Sequence, residues 1–400
     1  MIRYLLSTAC LILFLFWPIQ AQEFASSFSH AGSIAEIVPE RFSTAAESSY
    51  LNTLTKRGFK LETQGFLIES LDGAAIYADY QSDMTFNPAS VIKVATTFAA
   101  LSRFGPDRKF QTAFYMDGAL NKKTRVLKGN LILAAEGDPN LSATDIKQLI
   151  RQVARSGISR VTGDLIVVGP LSFANYYTRD RAMKRLGVVL NTVGVRIVGA
   201  RRIGREVSGS LVASHISSTL RDIVLFQNAH SSNPIAERLG ETLGGPKAVE
   251  QFLIEQVGIP QPEILISHTS GLDENRITPR STVLLFRELV GWLDAHDMAP
   301  EDVLPVAGVD DGTLKRRFSS ADYRGGIVAK TGSLPGTDGG VSTLAGIVYT
   351  KDHGPLVFSI FNTRGSVLRY RQLQDVFLKA VIQESGGIPL TNVSLRKSSN

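Results

Sequence analysis

The chain has 400 residues, 44% of them hydrophobic, with 43 basic and 37 acidic side chains and a net charge of +6. That length holds a large core in one or two domains. The single cysteine, Cys10, excludes a disulfide scaffold, the six histidines fall at no metal-ligand spacing, and nothing resembles a nucleic-acid-binding module.

Residues 1–21 read as a signal peptide. Arg3 is a short basic start, Leu5 to Trp17 is apolar, and Pro18-Ile19-Gln20-Ala21 offers a small residue for cleavage. The run is short for a membrane-spanning helix. The expectation is therefore export to the periplasm or cell envelope, with no transmembrane domain in the mature chain. Cys10 lies inside the run with apolar sequence after it, the wrong context for lipid attachment, and the mature chain has no thiol nucleophile. Removing the one charge at Arg3 leaves +5. Along the sequence this excess reads as diffuse, apart from Lys122-Lys123 and Arg201-Arg202, and so as a solvated surface.

Residues 22–60 are polar and Ser/Ala-rich, with room for one helix. Gly65–Ser70 and Ala74–Tyr80 flank Leu71-Asp72-Gly73, the pattern of a hairpin with a D-G turn. Asn87-Pro88 then precedes an apolar run to Leu101, which predicts a helix capped by Asn87 with Ser90 in its first turn. From about 106 to 215, strand-like runs at 129–133, 163–168 and 209–213 alternate with turns, and Thr144–Ala154 reads as a helix. Thr219–Val257 is helical, broken near Ser231 and at Gly244-Gly245, and Ser281–Ala295 is a further helix. The end supplies strands at 327–330, 341–349 and 356–361 and an amphipathic helix at Val367–Glu384, whose apolar face suits packing on a sheet. Strands from both chain ends can share one antiparallel sheet, with a helical segment between them.

Three motifs punctuate these elements: Ser90-Val91-Ile92-Lys93, Ser231-Ser232-Asn233 and Lys330-Thr331-Gly332. S-x-x-K alone arises by chance about once in a few hundred residues. On a helix, Ser90 and Lys93 face the same way. A serine hydroxyl needs a base to become a nucleophile, and a lysine whose pKa is lowered by burial can be that base. Helix N-terminal N–H groups suit an oxyanion. Ser231 and Asn233 can face a cleft or simply cap a helix. Lys330 and Thr331 can bind a carboxylate, and Gly332 permits close backbone approach. The plain alternative is a strand entering a Gly/Pro turn.

Taken together, the motifs resemble those of the penicillin-binding D-alanyl-D-alanine carboxypeptidases, in the low-molecular-mass, DacB-like subgroup whose members often double as DD-endopeptidases. Phe86-Asn87-Pro88-Ala89-Ser90, Gly137-Asp138-Pro139-Asn140-Leu141, Gly163-Asp164-Leu165, the stretch Ser231 to Glu237, Ser270-Gly271-Leu272 and Leu304 to Gly308 also resemble landmarks of that family. The similarity runs from about residue 65 to 384. It implies an α/β (α+β) serine β-lactamase/DD-peptidase-like transpeptidase fold: an antiparallel sheet flanked by helices, plus a helical lobe.

The resemblance implies that Ser90 forms the acyl-enzyme with Lys93 as its base. Ser231 relays a proton to the leaving D-alanine, and Asn233 holds Lys93 and the substrate amide. Lys330 and Thr331 bind the terminal carboxylate, and the N–H groups of Ser90 and Ser333 form the oxyanion hole. Asp138 contacts the amine of the stem peptide. The implied substrate is peptidoglycan stem peptide, with β-lactam antibiotics as covalent inhibitors and no cofactor or metal. The implied layout is residues 22–105 and 216–388 for the peptidase domain, 106–215 for an inserted, reduced accessory segment, and 389–400 for a polar tail.

Two departures stand out. Relatives usually carry a long insertion after the G-D-L segment, where this chain has about 45 residues before Val212-Ala213-Ser214-His215. They also have Asp-Gly before Ser-Gly-Leu, where this chain has His268-Thr269. The rival readings are a β-lactamase or related esterase on the same fold, which must deacylate quickly, and a non-catalytic peptidoglycan-binding protein.

Overall fold

In the computed structural model, which describes residues 39–42, 44–175 and 178–389, a short strand β1 (Glu40–Arg41) leads into helix α1 (Ala45–Lys56), capped by the Thr44 hydroxyl. The expected hairpin follows as β2 (Gln64–Ser70) and β3 (Ala75–Tyr80). Asp72 Oδ1 accepts from Ala74 N in its turn, and Gly73 takes φ +76°. Helix α2 (Lys93–Phe104) comes next. The middle of the chain forms β4 (Gln111–Asn121), β5 (Val126–Ala135), α3 (Ala143–Arg155), β6 (Arg160–Val161), β7 (Leu165–Val168), α4 (Arg179–Val193), β8 (Arg196–Ile197), β9 (Arg201–Gly204) and β10 (Ser210–Ile216). Helices α5 (Leu220–His230), α6 (Asn233–Leu243) and α7 (Pro246–Phe252) follow, then β11 (Ile264–Leu265), β12 (Arg276–Ile277) and α8 (Pro279–Asp294). The chain closes with β13 (Ile327–Leu334), β14 (Val341–Thr350), β15 (Gly354–Thr363) and α9 (Val367–Glu384).

Strands from both ends of the chain do share one sheet, in the order β1-β3-β2-β15-β14-β13, antiparallel except for β1 beside β3. Both of its faces are buried, which is why its strands read as nearly unbroken apolar runs. Phe66, Leu344, Val348, Phe358 and Ile360 point into one core, against Tyr50 of α1 and Phe377 of α9. Leu67, Ala345, Ile347, Val357 and Phe361 point into the other, which continues through α2, α5, α6, α7 and α8. The period-2 alternation of a strand thus divides each sequence between two cores.

Residues 111–216 build a second, seven-stranded sheet with β10-β4-β5 antiparallel and β5-β7-β9 and β5-β6-β8 parallel. It has its own core under α3 and α4. The sequence suggests three strands and one helix here. The additional β4 contains Gly118, and α4 mixes basic and β-branched residues around Gly187, so neither shows a clean period. The expected signal peptide, residues 1–21, lies outside the described residues, as does the tail from 390. Among the described residues no helix is long and apolar enough to cross a membrane.

Candidate active site

The turn that carries Ser90 differs from the expected helix start. Ala89–Ile92 is a 3-10 turn, and the α-helix begins only at Lys93. Asn87 does not cap that helix; its Oδ1 accepts from Ala89 N at 2.9 Å and its Nδ2 donates to Asp273 O at 2.7 Å. Ala89 takes φ +47°, a region that costs a non-glycine residue energy. At three residues per turn, Ser90 and Lys93 stand in line.

Two glycines let other segments press against this turn. A Cβ on Gly271 would lie 2.0 Å from Ala89 O, and one on Gly332 would lie 2.1 Å from Thr343 Oγ1 and 2.7 Å from Pro88 O. Gly332 therefore makes room for the turn bearing Ser90, whatever it also offers a substrate. Thr343 Oγ1 donates to Pro88 O at 2.8 Å and pins the turn to β14.

Lys93 is fully buried. Its Nζ lies 2.8 Å from Ser90 Oγ, 2.7 Å from Asn233 Oδ1 and 2.5 Å from Ser270 O. Burial lowers its pKa to about 7, against an opposing pull from the Glu237 carboxylate. As a neutral amine it has two N–H groups and one lone pair. Asn233 Oδ1 and Ser270 O can only accept, so they take both N–H groups. The lone pair is left for the Ser90 hydroxyl, which donates to it.

Ser231 lies in the break between α5 and α6, and Asn233 is the first residue of α6. Ser231 takes the left-handed conformation, φ +54° and ψ +43°, and ends α5. The capping alternative for this motif is not what forms, since Ser232 at the α6 N-cap makes no side-chain cap bond. Ser231 Oγ instead accepts from Lys330 Nζ at 2.9 Å. Lys330, fully buried, also donates to Thr331 O at 2.6 Å. Burial, helped by repulsion from Lys93, holds its pKa well below the ordinary lysine value. Thr331 Oγ1 donates to Thr313 Oγ1 at 2.8 Å, and Ser333 Oγ accepts from Arg371 Nη2 at 2.7 Å.

Strand β13 is the last in its sheet. Its first half is covered by Pro305–Ala307, through Ala307 N to Ile327 O at 2.8 Å and Ala329 N to Pro305 O at 3.2 Å. That cover ends at Ala329. Lys330–Leu334 continue as an edge with no further strand beyond them among the described residues, the geometry to which an extended peptide adds.

The structure thus brings Ser90, Lys93, Ser231, Asn233, Lys330, Thr331, Gly332 and Ser333 together. Asp138 stands outside this network. Its carboxylate is 3% exposed, accepts from Asn140 N at 2.8 Å and lies 3.4 Å from His215 Nε2, and burial raises its pKa. The sequence also contains a second S-x-x-K, Ser394 to Lys397, and a second S-x-N, Ser398 to Asn400; both fall outside the described residues.

Several supporting residues carry no motif of their own. Glu237 accepts from Ser270 N at 3.0 Å and Thr269 Oγ1 at 3.1 Å, fixing the loop that presents Ser270 O to Lys93. Thr269, one of the two residues that depart from the resembled pattern, is fully buried against Gly240, where a Cβ would meet its hydroxyl at 2.3 Å. Glu237 and Ser270 do lie in the landmark segments, but nothing in the sequence pairs them. Among the described residues no group of three or more His, Cys, Asp and Glu is placed to hold a metal.

Residues 51–180 and 169–379 match the D-Ala-D-Ala carboxypeptidase 3 (S13) family. The D-alanyl-D-alanine carboxypeptidase of Actinomadura sp. is 33% identical over 447 aligned positions, covering 80% of this chain and 81% of that protein. A shorter match, 31% identical over 103 residues, relates 26% of this chain to 21% of the D-alanyl-D-alanine carboxypeptidase DacB of Haemophilus influenzae, so the chain spans about a fifth of that protein there. Among solved structures, penicillin binding protein 4 of H. influenzae, complexed with a β-lactam, aligns with a TM-score of 0.67 at 21% identity, covering 83% of this chain and 98% of that one. The penicillin G-acylated predatory endopeptidase of Bdellovibrio bacteriovorus aligns at 0.65 and 21%, covering 81% and 93%. These two likenesses establish a shared fold.

Proposed function

Because the chain belongs to the D-Ala-D-Ala carboxypeptidase 3 (S13) family, we propose that it is a serine-type peptidase that removes terminal D-alanine from peptidoglycan stem peptides and cuts D-amino-acid cross-links between them. Neutral Lys93 takes the Ser90 proton as Oγ attacks the carbonyl carbon of the D-alanyl-D-alanine bond. The N–H groups of Ser90 and Ser333 hold the resulting oxyanion. Ser231, tied to Lys330, passes a proton to the departing amine, leaving an acyl-enzyme on Ser90 that water hydrolyses. Thr331, with Lys330 behind it, holds the carboxylate next to the cut. Internal cross-links also keep a free carboxylate on that D-centre, so one pocket serves both reactions.

The observation that carries this reading is the commitment of Lys93. Both N–H groups are occupied by fixed acceptors, 2.7 Å and 2.5 Å away, and only the serine hydroxyl faces its lone pair. Penicillin, with a carboxylate and a strained amide, would acylate the same serine. The apolar run at residues 5–17 supports export to the periplasm or cell envelope.

The test is chromatography of a soluble pentapeptide ending in D-Ala-D-Ala and of a cross-linked dimer after incubation with the protein. Free D-alanine and cut dimer are expected, and neither with Ser90→Ala. A folded wild-type protein that leaves both substrates intact would sink the proposal.

A further inference from the structure

Charge is segregated in this molecule. Residues 106–215 hold eighteen Lys and Arg against eight Asp and Glu, a net charge of +10. The remainder of the chain therefore nets −4 against the overall +6. What reads along the sequence as a diffuse excess is, in the fold, the property of one lobe.

Within that lobe the cations gather at one edge. Residues three and four apart share a helix face, and Arg181, Lys184 and Arg185 are exposed on the side of α4 opposite its buried Ala182, Leu186 and Leu190. The same helix packs beside β8, and the Arg201 side chain of β9 reaches it, since a Cβ on Gly187 would lie 2.8 Å from that guanidinium. Among the described residues strand β9 pairs only with β7, and exposed Arg205 follows it. Arg181, Lys184, Arg201 and Arg205 thus border one sheet edge.

The lobe's other edge faces the catalytic domain. Strand β10 there carries His215, which pairs with Asp138. Arg238, on the helix that presents Asn233, donates to Pro139 O and Ala174 O of the lobe. Four strand spacings separate β10 from β9 in the order β10-β4-β5-β7-β9, or about 19 Å at the usual spacing. A single stem peptide in the cleft does not reach that far, whereas a polymer of such peptides does.

Resting on the activity proposed above, we infer that this basic edge docks the enzyme on polymeric peptidoglycan by binding the carboxylates of stem peptides neighbouring the one being cut. The polymer is the polyanion that already has one repeat in the adjoining cleft. Individually weak, salt-sensitive contacts along one chain of carboxylates add together.

The experiment uses the full protein, purified sacculi and a soluble D-Ala-D-Ala pentapeptide at low and high salt. The triple variant R181E/K184E/R205E reverses the patch, and R181Q/K184Q/R205Q neutralises it with less risk to folding. Both should lose about tenfold in sedimentation with sacculi and in sacculus hydrolysis, and lose most of the salt dependence. Pentapeptide hydrolysis should stay within about twofold of wild type. Unchanged binding to sacculi in both variants would overturn the docking. So would an equal loss on both substrates, or sedimentation of the wild-type protein with phosphatidylglycerol vesicles but not with sacculi. Charge-dependent binding to sacculi by a wild-type protein that cleaves neither substrate would support the docking and count against the activity, so the two failures are distinguishable.

Discussion

The Nζ of Lys93 lies 2.5 Å from the carbonyl oxygen of Ser270, a residue 177 positions later in the chain. A backbone carbonyl cannot rotate away as a side chain can. It therefore fixes one N–H of the lysine, Asn233 Oδ1 fixes the other, and the lone pair is aimed at Ser90. The proposed base is thus oriented by the fold before any substrate arrives.

This orientation matters only when Lys93 is neutral, which sets the pH response. Burial lowers its pKa to about 7, so the amine is charged below that value and neutral above it. The rate of penicillin acylation should rise with pH through a midpoint near 7 and level off above it. Rates that are flat from about pH 5 to 9 would assign the base elsewhere.

Glu237 acts on that base through Ser270. Its carboxylate accepts from Ser270 N and Thr269 Oγ1, and its charge favours the protonated form of Lys93. Glu237→Gln keeps an acceptor for Ser270 N and removes the charge, so the rising limb of the pH–rate profile should move to lower pH with little loss of maximal rate. Glu237→Ala frees the loop, and acylation should fall about tenfold or more at every pH. An unshifted profile in a folded Glu237→Gln protein would limit Glu237 to holding the loop.

The sequence makes the chemistry more legible than the support behind it. Ser90, Lys93, Asn233 and Lys330 can be found because short motifs set their spacing, and the central sheet because its runs are apolar on both faces. Glu237 on Ser270, Thr313 on Thr331 and Arg371 on Ser333 are contacts across 33, 18 and 38 positions, and no local pattern encodes them. The 3-10 turn at Ala89–Ile92 escapes a reading that sees only Asn-Pro before an apolar run, since Ala89 is held at positive φ by tertiary packing. Parallel pairing in the second sheet is hidden for the same reason, because register between distant short strands is set by the core beneath them.

Gly332 tests that packing directly. A Cβ there would sit 2.1 Å from Thr343 Oγ1 and 2.7 Å from Pro88 O, and the second of these is backbone of the turn that carries Ser90. Gly332→Ala should destabilise the fold by about 1–3 kcal/mol and slow acylation at least tenfold by displacing Ser90. Chemical denaturation read beside the acylation rate measures both. Wild-type acylation in this variant would mean that the turn does not depend on β13.

Lys330 is buried between Ser231 and the Thr331 carbonyl. Lys330→Ala leaves Ser231 without its donor and the proposed carboxylate pocket without its amine. A charge-assisted contact is worth about 1.5–3 kcal/mol, so D-alanine release, dimer cleavage and penicillin acylation should each fall roughly ten- to a hundredfold. Rates equal to wild type on all three substrates in a folded variant would remove Lys330 from the site.

The central claim is that Ser90 is the nucleophile, and mass spectrometry of the penicillin-treated protein tests it most directly. One penicilloyl group per chain is expected, mapped by peptide digestion to Ser90, persistent over the course of the experiment and absent from a folded Ser90→Ala protein. A stable adduct on any other residue, or none at all on the folded wild-type chain, would contradict it.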